Sequence, residues 1–322
     1  FTLSGQSDAG TPVNIVKTVI GGQDALFEGV PVGTYTLTES YNADLWDSDA
    51  ATQQVRIDAN QTKEITATNT IHVGNLTVNK TTKNIDLDRL EDKDKTFTFK
   101  LQGTSLYNSP VDLELSVVGE GSVTFENVPV GTYTLTEVYK TAQWISSADT
   151  QEVTIKNTET LTVDIENAYR LGNVTIKKFD SDGRTPLAGV QFQLSDDNHT
   201  VATTDSNGEA FFKDVLPGRY QITEIKTAPG KQLLSEPFDV EFPLILTDEE
   251  VASRKDVDIT KGYHDDDEGA YYFFDFTYYV TNNATLTVPS TGANGTWYPG
   301  ILAAMLTGCG CIWYSRKRRR TA

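Results

Sequence analysis

Short runs in which apolar and polar residues alternate, punctuated by Pro and Gly, recur along most of this chain and predict β-strands rather than helices. The clearest is Gly29-Val-Pro-Val-Gly-Thr-Tyr-Thr-Leu-Thr-Glu39, which returns almost unchanged as Asn127-Val-Pro-Val-Gly-Thr-Tyr-Thr-Leu-Thr-Glu137. Asp214-Val-Leu-Pro-Gly-Arg-Tyr-Gln-Ile-Thr-Glu224 is a looser third copy. A repeat of this length marks a serial array of one module. In each copy a Pro/Gly turn leads into a strand in which residues two apart share a face, so Tyr133, Leu135 and Glu137 point the same way. A carboxyl group is thereby placed beside core residues in all three copies.

Two more polar residues keep the same phase. Lys80 shares parity with Leu76 and Val78, and Lys178 with Val174 and Ile176, so both lysines are expected to point inward. Asparagines end the apolar faces Ile65-x-Ala67-x-Asn69, Leu161-x-Val163-x-Ile165-x-Asn167 and Phe276-x-Tyr278-x-Val280-x-Asn282. Glu39 to Glu137, Asn69 to Asn167 and Lys80 to Lys178 are each 98 residues apart. An isolated buried charge is costly, so a module that keeps a lysine, a glutamate and a carboxamide in register is expected to use them together.

Lysine in the first strand, Tyr-x-Leu-x-Glu in a middle one and asparagine in the last resemble the B-type repeat domains of collagen adhesin (Cna-B) and related pilin domains. The third repeat carries the fullest match, in Val174-Thr-Ile-Lys-Lys178-Phe-Asp180-Ser-Asp-Gly, Pro186-Leu-Ala-Gly-Val-Gln-Phe192, Asp205-Ser-Asn-Gly208 and Glu224-Ile-Lys-Thr-Ala-Pro-Gly230. The first two repeats keep the Gly-x-Tyr-x-Leu-x-Glu core without the Ala-Pro. The resemblance implies an all-β chain of tandem prealbumin-like or Ig-like sandwiches in which Lys and Asn join in an isopeptide bond. It assigns the bonds Lys80 to Asn167 and Lys178 to Asn282, promoted by Glu137 and Glu224, with Glu39 as a copy lacking its lysine. Such a reaction needs a neutral amine, an electrophilic carbonyl and a proton donor, and burial favours the neutral forms of amine and carboxyl groups.

Domain expectations follow from the spacing. The first sandwich is partial and covers 1–71, the second 72–169 and the third 170–285, with an insertion at about 238–271. Phe1-Thr-Leu3 is matched to Phe97-Thr-Phe99, and the 98-residue offset would place the first repeat's lysine about nineteen residues ahead of Phe1, so the chain is expected to be a fragment of a longer protein. Lys17 shares parity with Val13 and Ile15 but lies well past the first-strand position, and near-attack geometry disfavours it as a substitute. Only ten residues separate Asn69 from Lys80 and Asn167 from Lys178, which predicts a semi-rigid array. Within the insertion, Thr247 is expected to cap a short helix rich in first-turn acids. The acidic run Asp265-Asp266-Asp267-Glu268 has consecutive rather than alternating carboxylates and reads as a solvated turn, not a calcium loop. Asp180-x-Asp182-Gly183 likewise reads as a turn. No metal site and no cofactor is expected.

The formal charge of −18 excludes binding to nucleic acid phosphates, and the folded body is more acidic still, because Arg316-Lys-Arg-Arg-Arg320 lies at the tail. The two cysteines, Cys309 and Cys311, fall in an apolar stretch from Trp297 to Tyr314 that is just long enough to span a bilayer and is flanked by interfacial Trp/Tyr pairs. With Val288-Pro289-Ser290-Thr291-Gly292 ahead of it and the basic tail behind, residues 286–322 resemble the Leu-Pro-x-Thr-Gly sorting signal of Gram-positive wall proteins. That resemblance implies sortase as partner, cleavage between Thr291 and Gly292, attachment to peptidoglycan, and a membrane stage only in the precursor.

The expected function is a wall-anchored stalk on the extracellular surface of a Gram-positive bacterium that presents an upstream adhesive region, and the expected chemistry is a single turnover on itself rather than enzymatic. Two alternatives stand beside it: modules that themselves bind host matrix, and a pilus subunit. A shaft pilin would carry a Tyr-Pro-Lys motif, whereas the only Tyr-Pro pair, Tyr298-Pro299, runs into Gly300.

Overall fold

The computed structural model describes residues 1–255, 257–282 and 286–290. The first repeat supplies β1 (Thr2–Ser7), β2 (Pro12–Val16), β3 (Gly33–Thr38), β4 (Trp46–Ser48), β5 (Thr52–Ile57) and β6 (Asn69–Ile71). The second supplies β7 (Val73–Lys83), β8 (Thr96–Ser105), β9 (Pro110–Val118), β10 (Gly121–Pro129), β11 (Gly131–Val138), β12 (Trp144–Ser146), β13 (Thr150–Ile155) and β14 (Thr160–Tyr169). The third supplies β15 (Gly172–Phe179), β16 (Gln191–Leu194), β17 (Val201–Thr203), β18 (Glu209–Val215), β19 (Gly218–Lys226), β20 (Phe238–Phe242), β21 (Leu244–Thr247), α1 (Asp248–Ser253), β22 (Gly262–Asp265), β23 (Ala270–Phe273), β24 (Asp275–Thr281) and β25 (Leu286–Ser290). The described residues are all-β apart from α1 and a few 3-10 turns.

Strand order follows the repeat. In the second repeat one sheet runs β13-β11-β8-β9 and the other β10-β7-β14-β12; the third has β17-β16-β19-β20 and β18-β15-β24-β25. The first repeat forms only the counterpart of the Glu-bearing sheet, β2-β1-β3-β5, with a small β4-β6 ladder. Packing divides the chain into two compact units, one of Phe1–Lys80, Thr96–Val138 and Ala148–Ile165, the other of Thr81–Lys95, Tyr139–Ser147 and the chain from Glu166 onward.

The recurring Pro/Gly-x-Tyr stretch has a physical cause. Tyr35, Tyr133 and Tyr220 each donate their hydroxyl to the backbone carbonyl four residues upstream, of Pro31, Pro129 and Leu216, at 2.6–2.8 Å. The ring can then be buried with its polar tip satisfied. The intervening glycine makes room for this closure: a Cβ on Gly131 would lie 3.0 Å from the Tyr133 hydroxyl and 3.2 Å from the Ser105 Cα. The turn and the strand start are therefore one device, used three times.

Register corrects one sequence match. Leu3 lies opposite Leu37 as Leu101 lies opposite Leu135, so Phe1–Leu3 corresponds to Phe99–Leu101 and the 98-residue offset holds here too. The insertion also begins later than expected. Phe238–Phe242 pairs with β19 just as β13 pairs with β11, so it is a sandwich strand, and the added structure is β21, α1, β22 and β23. Thr247 caps α1 in a capping box with Glu250, as its position predicts.

Candidate cross-linking sites

In the third repeat, alternation along β15 and β19 drives both members of the pair into the core, in opposite sheets. Lys178 Nζ lies 2.9 Å from Glu224 Oε2, and neither side chain is exposed. Lys178 stands opposite Val280 in the parallel β15–β24 ladder, and Asn282 follows directly after the last residue of β24. Asn282 Oδ1 and Glu224 Oε1 are both buried without a hydrogen-bond partner among the described residues. Two acceptors left in this state are costly. Transfer of one proton across the 2.9 Å contact turns ammonium and carboxylate into amine and carboxylic acid, and the acid then has a proton to donate.

The loop after β19 completes the enclosure, which sequence reading missed. The backbone N–H of Leu234 donates to Glu224 Oε2 at 3.3 Å, and Lys231 ties the loop to Asp180 at 2.5 Å. Its only sequence signal is the Ala228-Pro229-Gly230 turn. Asp182 behaves as the expected turn residue: it accepts from Arg184, Thr185 and the Thr185 hydroxyl, led by that hydroxyl, and its carboxyl is held down at about 2.

In the second repeat, Lys80 on β7 and Glu137 on β11 are fully buried, with Nζ 3.9 Å from Glu137 Oε1, 3.4 Å from the Ile165 carbonyl and 4.3 Å from the Phe97 ring centroid. Contact across the two sheets is again lysine to glutamate. Asn167 is completely buried on β14, where it pairs with Ser146 of β12, and neither side-chain atom has a hydrogen-bond partner among the described residues.

The first repeat differs. Asn69 Nδ2 donates to Glu39 Oε1 at 2.8 Å and the Ser48 hydroxyl to Glu39 Oε2 at 2.5 Å, yet Asn69 is exposed. Lys17 is exposed beyond the end of β2. The apolar face expected for 65–69 is a strand only from Asn69 onward.

The acidic run is a correction. Asp265 and Glu268 do not form a solvated turn: Lys140 Nζ is 3.1–3.2 Å from Asp94, Asp265 and Glu268, and Glu268 also pairs with Lys93 and accepts from the Tyr272 hydroxyl at 2.5 Å. Burial opposes charge on Lys140, but its bonds to Glu268, Asp94 and Asp265 outweigh that and hold it above the ordinary lysine range. An amine kept protonated by three carboxylates is no nucleophile. Asp266 and Asp267 are exposed, as a turn requires. Paired residues of this cluster lie up to 175 positions apart, as Lys93 and Glu268 do, so no local pattern announces it.

Of the sorting signal, Val288, Pro289 and Ser290 fall in β25, which pairs antiparallel with β24. Thr291, Gly292, the apolar stretch and the basic tail lie outside the described residues. Among those described, no helix is long and apolar enough to cross a membrane.

Residues 1–72 and 76–170, together more than half of the chain, match the family model described as a domain of unknown function, DUF5979. The chain belongs to that family. Beyond its two DUF5979 copies, residues 172–257 match the SpaA prealbumin-like fold domain. The trypsin-resistant surface T6 protein of Streptococcus pyogenes serotype M6 is 33% identical over 70 residues, 21% of this chain, and the match spans 13% of that protein's length. Among solved structures, the chain is similar to the Bacillus anthracis TIE protein (19% identity, 74% of this chain and 46% of that one, TM-score 0.44). It is also similar to BcpA, the major pilin subunit of Bacillus cereus (14% identity, 87% and 93%, TM-score 0.37).

Proposed function

We propose that this chain is the wall-proximal part of a surface stalk whose sandwiches are sealed by self-formed isopeptide bonds and which sortase attaches to peptidoglycan through Thr291. The observation that carries the reading is the fully buried Lys178–Glu224 contact, in a ladder whose neighbouring strand β24 leads directly into Asn282, with its carbonyl oxygen buried and unsatisfied among the described residues. With the proton on Glu224, Lys178 Nζ attacks Asn282 Cγ while the acid hydrogen-bonds the carboxamide oxygen. The C–N bond forms, the carboxamide nitrogen takes up protons relayed by Glu224, and ammonia leaves. Equivalent strand positions, Lys80 on β7, Glu137 on β11 and Asn167 on β14, extend the same roles to the second repeat. The SpaA match and the surface protein among the relatives support a place on a Gram-positive cell surface, and a pilus subunit is the second reading, favoured by that same match.

The bond joins the first and last strands of the third sandwich, so tension entering near Gly172 passes to Asn282 without shearing the sheets. Pulling the chain from its two ends in a single-molecule force experiment tests this. Residues 179–281 should contribute no extension; an unfolding step that releases them would refute a load-bearing cross-link.

A further inference from the structure

We propose that Asp180 and Lys231 form a latch that positions Glu224 for the cross-linking reaction of the third repeat. This rests on the chemistry proposed above. Strand β19 fixes where Glu224 enters the core, but the last torsion of a glutamate side chain has only broad preferences, so its carboxyl group needs partners to orient it. One partner is Lys178, at Oε2, which is itself consumed in the reaction. The other is the backbone N–H of Leu234, which donates to the same oxygen at 3.3 Å and outlasts the reaction. With both donors on Oε2, the buried Oε1 has no partner among the described residues and is left for the carboxamide.

Leu234 lies in the irregular stretch 227–237 between β19 and β20, where Pro229, Gly230, Gln232 and Leu233 are all exposed. An exposed loop of this kind keeps one of its N–H groups on a buried carboxylate only if something ties it down. Lys231, three residues ahead of Leu234, reaches Asp180 at 2.5 Å, and Asp180 is two residues past Lys178, directly after β15. Asp180 is a fixed anchor: its backbone N–H donates to the Thr185 carbonyl at 2.8 Å, and its Oδ1 accepts from the Ser181 N–H at 2.8 Å. The bond from Lys231 holds its carboxyl below the ordinary carboxylate range, so the latch stays charged. The contacts thereby close a ring from Lys178 through Asp180, Lys231, Leu234 and Glu224 back to Lys178. The latch side chains are 32% and 22% exposed, and an ion pair that wet adds little stability, so what it supplies is position. The second repeat offers the comparison. Counted from its lysine and its glutamate, the places of Asp180 and Lys231 hold Thr82 and Trp144, which cannot form an ion pair, and there the lysine–glutamate contact is 3.9 Å rather than 2.9 Å.

The test makes the full chain by cell-free synthesis, quenches samples over time and quantifies both links by peptide mass spectrometry. Lys231→Met and Asp180→Asn should slow formation of the Lys178–Asn282 bond by about tenfold or more, because the acid is no longer held in reacting geometry. The Lys80–Asn167 bond, in the same molecules, should keep its rate. Lys231→Arg should keep the parent rate, and the reversed pair Asp180→Lys with Lys231→Asp should recover most of it. In an Asn282→Ala background, where the third repeat has no bond to form, Lys231→Met should leave the melting temperature unchanged. Equal rates in the parent and Lys231→Met, a slowing that Lys231→Arg shares, or a melting temperature that falls in the bond-free background would each overturn the latch and leave the function above standing. Absence of the Lys178–Asn282 bond from the parent would remove that function, and the latch with it.

Discussion

Lys178 Nζ meets Glu224 Oε2 at 2.9 Å in a site where neither side chain touches solvent. A buried pair of this kind rarely stabilises a fold by itself, since desolvation offsets most of the attraction. The proposed cross-link would account for it: Lys178 stands opposite Val280 near the end of β24, and Asn282, which follows that strand, has a buried carbonyl oxygen without a partner among the described residues.

Glu224→Gln keeps the shape of the side chain and removes the acid. The Lys178–Asn282 bond should then fail to form, and the third sandwich should lose thermal and protease resistance while still folding. By analogy with loop closure by disulfides, a tie across a loop of about 100 residues contributes about 4 to 5 kcal/mol. A variant that melts with the parent and keeps the cross-link would make Glu224 a bystander.

Lys140 holds three carboxylates together, so Lys140→Met should destabilise the second unit by about 3 to 5 kcal/mol, because it leaves buried charges uncompensated. Denaturant unfolding would read this directly. Replacement without loss of stability would show the cluster to be solvated.

The same cluster predicts an acid limit. Burial works against the charge of Glu268, but Lys93, Tyr272 and Lys140 outweigh it and depress its carboxyl from 4.5 to about 2. A carboxyl lowered in the folded state contributes stability that is fully present above its unfolded value and disappears as pH falls through the folded one. Melting temperature should therefore decline between about pH 4.5 and 2, and less steeply in Glu268→Gln. Parallel profiles for the two proteins would contradict the assignment.

Cleavage should fall between Thr291 and Gly292. Digests of cell walls should release fragments that end at Thr291 and carry peptidoglycan peptide. Full-length protein that retains its basic tail and is extracted by detergent as the main mature form would exclude anchoring of this kind.

Much of this was legible in the sequence because it is periodic. Alternation places Lys80, Glu137, Lys178 and Glu224 inside, and the 98-residue offset sets Lys80 in register with Lys178 and Glu39 with Glu137. The tyrosine turn was visible as a repeat but not as a hydrogen bond, since the acceptor is a backbone carbonyl with no residue signature. The Lys140 cluster was illegible, because Asp94, Lys140 and Glu268 meet only through tertiary packing and each alone looks like a surface charge. Strand β20 reads as part of the insertion because its apolar pattern, Phe238-x-Val240-x-Phe242, does not say which neighbour it will pair with.

The central claim is that lysine and asparagine join in two of the three repeats, and intact mass of the purified chain tests it most directly. The account predicts a mass below the sequence value by two molecules of ammonia, with peptides linking Lys80 to Asn167 and Lys178 to Asn282. A mass equal to the sequence value would contradict it outright, and a deficit of three would show that a further lysine of this chain reacts, against the assignment made for the first repeat.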